Sequence, residues 1–120
     1  MTAVKATDGA TTAIYSRVAS ADDFAIELQE QIILDYADRN GYGRCVCYRD
    51  NGKSGLNTNR EGLQSLLSDV KSGAVKVAIV RDLSRLSRDY CQLDELVTLL
   101  TANDVLLISV ADGGVVNGAE

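Results

Sequence analysis

Short apolar runs rich in β-branched residues alternate with longer amphipathic stretches along this chain. The clearest run, Val-Lys-Val-Ala-Ile-Val at residues 75–80, predicts a buried strand. Comparable runs predict strands at residues 12–18, 44–49 and 105–110. Helical apolar spacing predicts helices over residues 24–40 and 60–72, and a third that begins at Ser84 or Ser87 and ends at Ala102. Because strands alternate with helices, we predict an α/β domain with a mostly parallel sheet of about four strands.

The size and apolar pattern of the chain limit its class. At 120 residues it is long enough for one domain with a single core. It contains no apolar run long enough to span a membrane, and its small, polar start does not resemble a signal peptide. We expect a cytoplasmic protein that does not bind membranes, with a disordered tail over residues 1–12 and one domain over residues 13–120.

The ionisable residues limit which kinds of catalytic and binding site the chain can form. Histidine is absent, which removes the most common general base and the most common metal ligand. The three cysteines lack a disulfide or metal-site spacing, so we expect reduced thiols, with Cys45 and Cys47 packed in the core. No third and fourth ligand accompanies Cys45 and Cys47, so we do not expect a metal site at this pair. The net charge of −5 argues against nucleic-acid binding by the whole surface but permits a local basic site.

Such a basic site is indicated by residues 81–89, Arg-Asp-Leu-Ser-Arg-Leu-Ser-Arg-Asp, which follow the strand at residues 75–80 directly. In a helical turn, Arg81, Arg85 and Arg88 would share a face. Planar guanidinium groups suit bidentate binding of phosphate. The segment on its own is equally compatible with a solvated helix N-terminus whose charge is balanced by Asp82 and Asp89.

Other arginines are expected at the same edge of the sheet. In a parallel sheet the segments after the first three strands converge, which would bring Arg17, Arg60, Arg85 and Arg88 around Asp50. This surplus of positive charge would fit a phosphodiester and the extra charge of its transition state. The nearby Gly52-Lys53-Ser54-Gly55 lacks the spacing of a nucleotide-binding Walker loop.

Five motifs in order resemble the catalytic domain of the serine recombinases, the resolvase/invertase family, with a form closest to the large serine recombinases. They are Tyr15-Ser16-Arg17-Val18, Asp50-x-Gly52-x-Ser54-Gly55, Arg60-x-Gly62-Leu63, the segment Asp82 to Asp89, and Asp112-Gly113-Gly114. The resemblance implies a flavodoxin-like, three-layer domain that cuts and rejoins DNA through a phosphoseryl bond. It also implies that no metal or nucleotide cofactor takes part.

The resemblance assigns roles residue by residue. It implies that Arg17, Arg60, Arg85 and Arg88 hold the scissile phosphate, and that Asp50 orients arginines or assists proton transfer. Ser84 is included among the catalytic positions because of its place in the family motif, where many small resolvases have aspartate. Supporting positions near the site are Tyr15, Ser20, Gln31 and Ser54.

One position departs from the family pattern Tyr-x-Arg-Val-Ser, whose final serine is the nucleophile. Here that position is Ala19, which has no hydroxyl. Three explanations fit this departure: an engineered serine-to-alanine substitution, a naturally inactive homologue, or a nucleophile shifted to Ser20 or Ser16. Ser20 would need a one-residue bulge, because successive side chains of an extended segment face opposite ways.

The resemblance also implies partners. We expect DNA as the substrate, and a dimer and synaptic tetramer of the full-length protein. The dimerisation helix and the DNA-binding region are expected beyond residue 120. Two alternatives remain open: a recombinase-like DNA-binding or regulatory module that never cuts DNA, and a phosphate-ester or nucleotide enzyme on a similar sheet.

Overall fold

The computed structural model describes residues 11–56 and 59–117, which form alternating strands and helices. In chain order the elements are β1 (Thr11–Val18), α1 (Asp23–Arg39), β2 (Cys45–Asn51), α2 (Glu61–Lys71), β3 (Val75–Val80), a 3₁₀ turn (Leu83–Arg85), α3 (Tyr90–Ala102), β4 (Leu106–Ser109) and β5 (Gly114–Val115). The first strand begins within the predicted tail, at Thr11, and residues 1–10 of that tail lie outside the described residues.

The strands form one sheet in the order β2-β1-β3-β4-β5. Pairing is parallel among β1, β2, β3 and β4, whereas β5 runs antiparallel to β4. The predicted α/β fold with a mostly parallel sheet is therefore confirmed. The additional strand β5 was not predicted because two residues in a glycine-rich segment carry no apolar alternation.

The sheet is covered on both faces, which gives three layers. On one face, α1 contributes Ile33 and Ala37 to a cluster with Ile14, Val77, Ile79 and Ile108. On the other face, α2 and α3 pack Leu63, Leu66, Leu96 and Leu100 against side chains that include Ala13, Tyr15 and Val80. Side chains alternate between the two faces along a strand, so the neighbouring strands β1 and β3 each contribute to both clusters.

The third helix begins later than predicted. Asp89 caps it by accepting hydrogen bonds from the backbone amides of Cys91 (2.8 Å) and Gln92 (3.1 Å). The preceding 3₁₀ turn has its own cap, since Asp82 accepts from the amide of Ser84 (3.1 Å). Two aspartate caps thus divide a segment that apolar spacing alone predicts as one helix. As a result Arg88 lies outside any helix, and the predicted helical face shared by Arg81, Arg85 and Arg88 is wrong.

The predicted core packing of the two cysteines is confirmed for Cys45, which is half-buried and packs against the cluster that contains Ile14 and Ile33. It is wrong for Cys47, which is exposed on β2, the edge strand of the sheet. Within the described ranges, no group of three or more potential ligands is placed to hold a metal ion. The same residues contain no helix that is both long and apolar enough to cross a membrane.

Candidate active site

Arg17 lies near the end of β1, and its guanidinium group is bound to the backbone of two loops. Nε donates to the carbonyl oxygen of Arg85 (3.0 Å), Nη2 to that of Ser84 (2.8 Å) and Nη1 to that of Lys53 (3.1 Å). The side chain is fully buried. Burial, and next the charge of Arg60, lower the pKa of Arg17 below its ordinary value. Arg17 therefore holds together the loops that follow β2 and β3.

Arg60 immediately precedes α2 and reaches the same place from the other side. Its Nη1 donates to the hydroxyl of Tyr15 (2.7 Å) and to the carbonyl oxygen of Arg85 (3.1 Å), and its Nη2 donates to the carbonyl oxygen of Leu86. Arg60 is only 1% exposed. Two buried guanidinium groups thus share the carbonyl of Arg85 as an acceptor, which fixes the backbone at residues 84–86.

Asp50 connects β2 to this network through a tyrosine. Its carboxylate accepts hydrogen bonds from the hydroxyl of Tyr15 (2.7 Å) and from the amides of Gly62 (2.8 Å) and Leu63 (2.9 Å). It therefore stabilises the start of α2 and, through the hydroxyl of Tyr15, orients Arg60. Burial, and next the hydrogen bond to Asp50, raise the pKa of Tyr15 far above its ordinary value, so its hydroxyl stays protonated.

Arg85 and Arg88 are the two members of the predicted set that reach the surface. The Arg85 side chain is 16% exposed, and its Nε approaches Oδ2 of Asp82 at 3.3 Å. Arg88 is exposed, and its backbone amide donates to the carbonyl oxygen of Gly55 (2.9 Å). An open cavity of about 360 Å³ lies beside it, lined by Leu83, Ser84, Ser87, Arg88, Asp89, Tyr90 and Leu93. An approaching anion would meet Arg85 and Arg88 first.

Asp82 organises the 3₁₀ turn that carries Arg85. It accepts a hydrogen bond from the hydroxyl of Ser84, and Nε of Arg81 lies 3.3 Å from its Oδ2. Burial acts to raise the pKa of Asp82, but the Ser84 hydrogen bond and the charges of Arg85 and Arg81 together lower it below its ordinary value. In this structure the hydroxyl of Ser84 is directed to Asp82.

Gly55 permits the close approach of these loops. It is buried, and a Cβ atom there would lie 2.7 Å from Nη2 of Arg17 and 3.1 Å from Cγ of Arg88. The neighbouring Ser54 is exposed, and its Oγ accepts from the amide of Leu56 (3.0 Å). Of the Ser54-Gly55 pair, the glycine is thus the residue that contacts the arginine network.

The position predicted for the nucleophile, Ala19, lies on an exposed bend two residues after Arg17. Ser20 is also exposed on this bend. Ser16, by contrast, is fully buried, and strand alternation directs it to the face opposite Arg17. Its hydroxyl has no hydrogen-bond partner among the described residues. Because a nucleophile must reach the phosphate, this burial argues against Ser16 as the shifted nucleophile.

Gln29, rather than the predicted Gln31, contacts the site. Gln29 is buried, accepts from the backbone amide of Arg17 (3.0 Å) and donates to the Arg17 carbonyl (3.1 Å). Gln31 lies on the solvent side of α1, where it donates to Asp35 (3.1 Å). The helical apolar spacing contained the signal, since Gln29 follows Ile26 by three residues and precedes Ile33 by four, on the buried side of α1.

Comparison with known proteins identifies the family and similar folds. The model of the resolvase N-terminal domain family matches residues 12–119. The N-terminal catalytic domain of TP901-1 integrase is 30% identical, with a TM-score of 0.79, over 85% of this chain and 79% of that one. The C-terminal catalytic domain of ISC1926 TnpA, an IS607-like serine recombinase, is 31% identical, with a TM-score of 0.77, over 83% and 69% of the two chains.

A resolvase family site-specific recombinase from Streptococcus pneumoniae is 27% identical, with a TM-score of 0.77, over 92% of this chain and 78% of that one. A search of curated proteins found no match. The family match spans nearly the whole chain, and the structural similarity reflects a shared fold in which helices flank a mostly parallel sheet. The chain therefore belongs to the resolvase family and has the catalytic-domain fold of the serine recombinases.

Proposed function

We propose that this domain cuts and rejoins DNA at specific sites through a phosphoseryl bond when serine occupies position 19, and that the Ala19 form is inactive. The observation that carries the proposal is the arginine network beside residue 19. Arg17 and Arg60 both donate to the backbone carbonyl of Arg85, whose own guanidinium donates to the carbonyl of Arg17. Residue 19 lies on the exposed bend that follows Arg17. Such a site offers positive charge next to the place of an attacking hydroxyl.

The reaction would proceed by exchange of one phosphate ester for another. The serine hydroxyl gives up its proton as its oxygen forms a bond to phosphorus, a DNA backbone P–O bond breaks, and the leaving DNA oxygen takes up a proton, so that one proton is lost and one gained. Attack by that same hydroxyl reverses the step and rejoins the strand. Alanine at position 19 has no oxygen to form the bond, so neither step can begin.

The accessible and the buried arginines would have different roles. Arg85 and Arg88 are accessible and would bind the phosphate first, stabilising the charge that develops in the transition state. Arg17 and Arg60 are enclosed and hold residues 84–86 in place. They would reach the phosphate by exchanging backbone carbonyls for phosphate oxygens, which requires residues 84–86 to move.

The proposal includes two kinds of partner, DNA and further copies of the same protein. DNA is the substrate class that fits the site, and self-association to a dimer and a synaptic tetramer would bring two DNA sites together. The names of the similar structures, an integrase, an IS607-like recombinase and a site-specific recombinase, support DNA recombination as the process.

The decisive experiment restores the hydroxyl. The Ala19 form and an Ala19→Ser variant, each in the full-length protein, are incubated with supercoiled DNA that carries the cognate site, and covalent protein–DNA product is measured. Product is expected from Ala19→Ser alone. Product from the Ala19 form would contradict its inactivity, and failure of Ala19→Ser to form any would contradict the mechanism.

A matched variant tests the remaining shifted nucleophile. Adding Ser20→Ala to Ala19→Ser should leave the covalent product in place. If the product disappears and mass spectrometry of the Ala19→Ser product finds no DNA on residue 19, the nucleophile would be Ser20.

A second candidate function is a DNA-binding or regulatory module without cleavage. It is favoured by one observation: Arg85 and Arg88 remain accessible although the hydroxyl is missing. Under this alternative the Ala19 form binds DNA and Ala19→Ser still forms no covalent product.

A further inference from the structure

The bend that carries residue 19 is held at both ends by the last residue of β2 and the turn that follows it. Before the bend, the carbonyl oxygen of Val18 accepts from the amides of Gly52 (2.8 Å) and Lys53 (3.0 Å). After the bend, the amide of Asp22 donates to Oδ1 of Asn51 (2.8 Å). The three intervening residues, 19–21, are exposed, so these hydrogen bonds limit where the bend can lie.

Asn51 makes a second contact that uses the other half of its side chain. Its Nδ2 donates to Oδ1 of Asp23 (2.8 Å) while its Oδ1 accepts from Asp22. A carboxamide is suited to this place because it both donates and accepts. An aspartate could accept from the Asp22 amide but would face the Asp23 carboxylate with like charge.

The same turn also reaches the buried arginine. The carbonyl oxygen of Lys53 accepts from Nη1 of Arg17 (3.1 Å). Gly52 has φ +86°, and a Cβ atom there would lie 3.2 Å from Cβ of Ala21, so the turn and the bend touch. One short segment, residues 51–53, thus contacts both Arg17 and the bend.

We propose that Asn51 is a positioning residue that sets the location of residue 19 relative to Arg17, acting through Asp22 and Asp23. This inference rests on the proposed function, because positioning matters for a nucleophile at residue 19. Asn51 is half-buried, and its two contacts are with exposed aspartates. Its loss should therefore disturb the bend more than the stability of the domain.

The activity test exchanges the side chains of residues 51 and 23 in the Ala19→Ser background. Asn51→Ala and Asn51→Asp should each lower the rate of covalent product formation by up to about 100-fold, because a small misplacement of a reacting group is costly. The double variant Asn51→Asp/Asp23→Asn can form both hydrogen bonds: residue 51 still accepts from the Asp22 amide, and the bond between residues 51 and 23 has its donor and acceptor exchanged. It should return the rate to within about threefold of the Ala19→Ser parent, since the geometry is rebuilt.

Asn40→Ala is the matched control, because the Asn40 side chain bonds the carbonyl oxygen of Tyr36 at the far end of α1. It should leave the rate unchanged, and the affinity for DNA should be similar in all variants. An Asn51→Ala variant as fast as its parent, or a double variant as slow as Asn51→Asp, would overturn the proposal.

A second measurement needs no DNA and so separates this inference from the proposed function. In the unmodified Ala19 chain, hydrogen exchange at the Asp22 amide is followed by NMR. Asn51→Ala should accelerate it about tenfold, the effect of losing one hydrogen bond, and the melting temperature should change little. Unchanged exchange at Asp22 would refute the proposal. If exchange changes while no Ala19→Ser variant cuts DNA, the proposed function fails and the contact stands.

Discussion

The side chains of Arg17 and Arg85 each donate a hydrogen bond to the backbone carbonyl oxygen of the other residue. Nε of Arg17 donates to the carbonyl oxygen of Arg85 (3.0 Å), and Nη1 of Arg85 donates to the carbonyl oxygen of Arg17 (3.0 Å). Two like charges from distant parts of the chain are thereby held side by side, with carbonyl dipoles offsetting their repulsion. Positive charge is thereby concentrated at the carboxyl edge of the sheet, where the proposed function needs it to stabilise the developing charge of a transition state.

Removing the exposed arginine should affect chemistry rather than folding. In the Ala19→Ser background, Arg88→Ala is expected to slow covalent product formation by about 10²- to 10³-fold, the usual effect of losing one transition-state contact. Its melting temperature should match that of the parent, because the Arg88 contact with Gly55 is made by the backbone. Arg39→Ala, at the far end of α1, is the control. Equal rates for both variants would exclude Arg88 from the site.

The Tyr15 hydroxyl should matter more for stability than the Tyr48 hydroxyl. Tyr15 joins two buried groups, Asp50 and Arg60, so Tyr15→Phe is expected to cost about 2 to 3 kcal/mol of unfolding free energy. Tyr48 bonds the half-buried Asp69, so Tyr48→Phe should cost about 1 kcal/mol. Urea denaturation measures both values, and the reverse order would contradict the buried network.

Two glutamines near each other on α1 should behave differently. Gln29→Ala leaves the backbone amide and carbonyl of Arg17 without their side-chain partner and should cost about 1 to 3 kcal/mol. Gln31→Ala removes a solvent-exposed contact and should stay within about 0.5 kcal/mol of the parent. Thermal and urea unfolding compare the two variants. Equal losses would show that Gln29 does not support Arg17.

A methyl group at Gly55 should be poorly tolerated. Because its Cβ would lie 2.7 Å from Nη2 of Arg17, Gly55→Ala must displace a buried guanidinium and should cost about 1 to 3 kcal/mol. Gly43→Ala is the matched control, since a Cβ there meets nothing within 4 Å. Chemical denaturation of both variants is the measurement. A neutral Gly55→Ala would mean that Arg17 can leave its place at little cost.

The lowered pKa of Asp82 predicts a specific loss of stability in acid. A carboxylate whose pKa is lower in the folded state stabilises the fold above its ordinary value of 3.8, and this contribution is lost as the pH falls through the folded pKa. Asp82→Asn should cost about 1 to 2 kcal/mol at neutral pH, because a charged acceptor is lost. The deficit should shrink below pH 3.8. Unfolding free energies measured across this range check it, and a deficit independent of pH would contradict the assignment.

The fold was predictable because its signals are local. The β-branched run at Val75–Val80 predicted β3 with the correct bounds, and apolar spacing placed α1 and α2 within a residue or so of their ends. The start of α3 was missed because capping by Asp89 prevailed over apolar periodicity. The exposure of Cys47 was missed because alternation along a strand does not reveal which strand lies at the sheet edge.

The sequence predicted that Arg17, Arg60 and Asp50 converge, but it did not predict the contacts that they make. The sequence brought Arg17, Arg60 and Asp50 to one edge of a parallel sheet, and the structure places them together. It did not indicate that Arg17 and Arg60 are enclosed, since burial there depends on carbonyls of residues 84–86 that accept their hydrogen bonds. Side-chain contacts of this kind are set by loop conformations, for which residue type alone gives no rule.

The place of β1 between β2 and β3 has a consequence for folding. Both strands that pair with β1 come later in the chain: Ile14 pairs with Cys47 on one side and with Ile79 on the other. The first strand made must therefore wait for long-range contacts, which slows folding and makes it cooperative. Since Arg17 lies on β1, the arginine network and the hydrophobic core assemble in the same event. A chain interrupted before β3 would lose both at once.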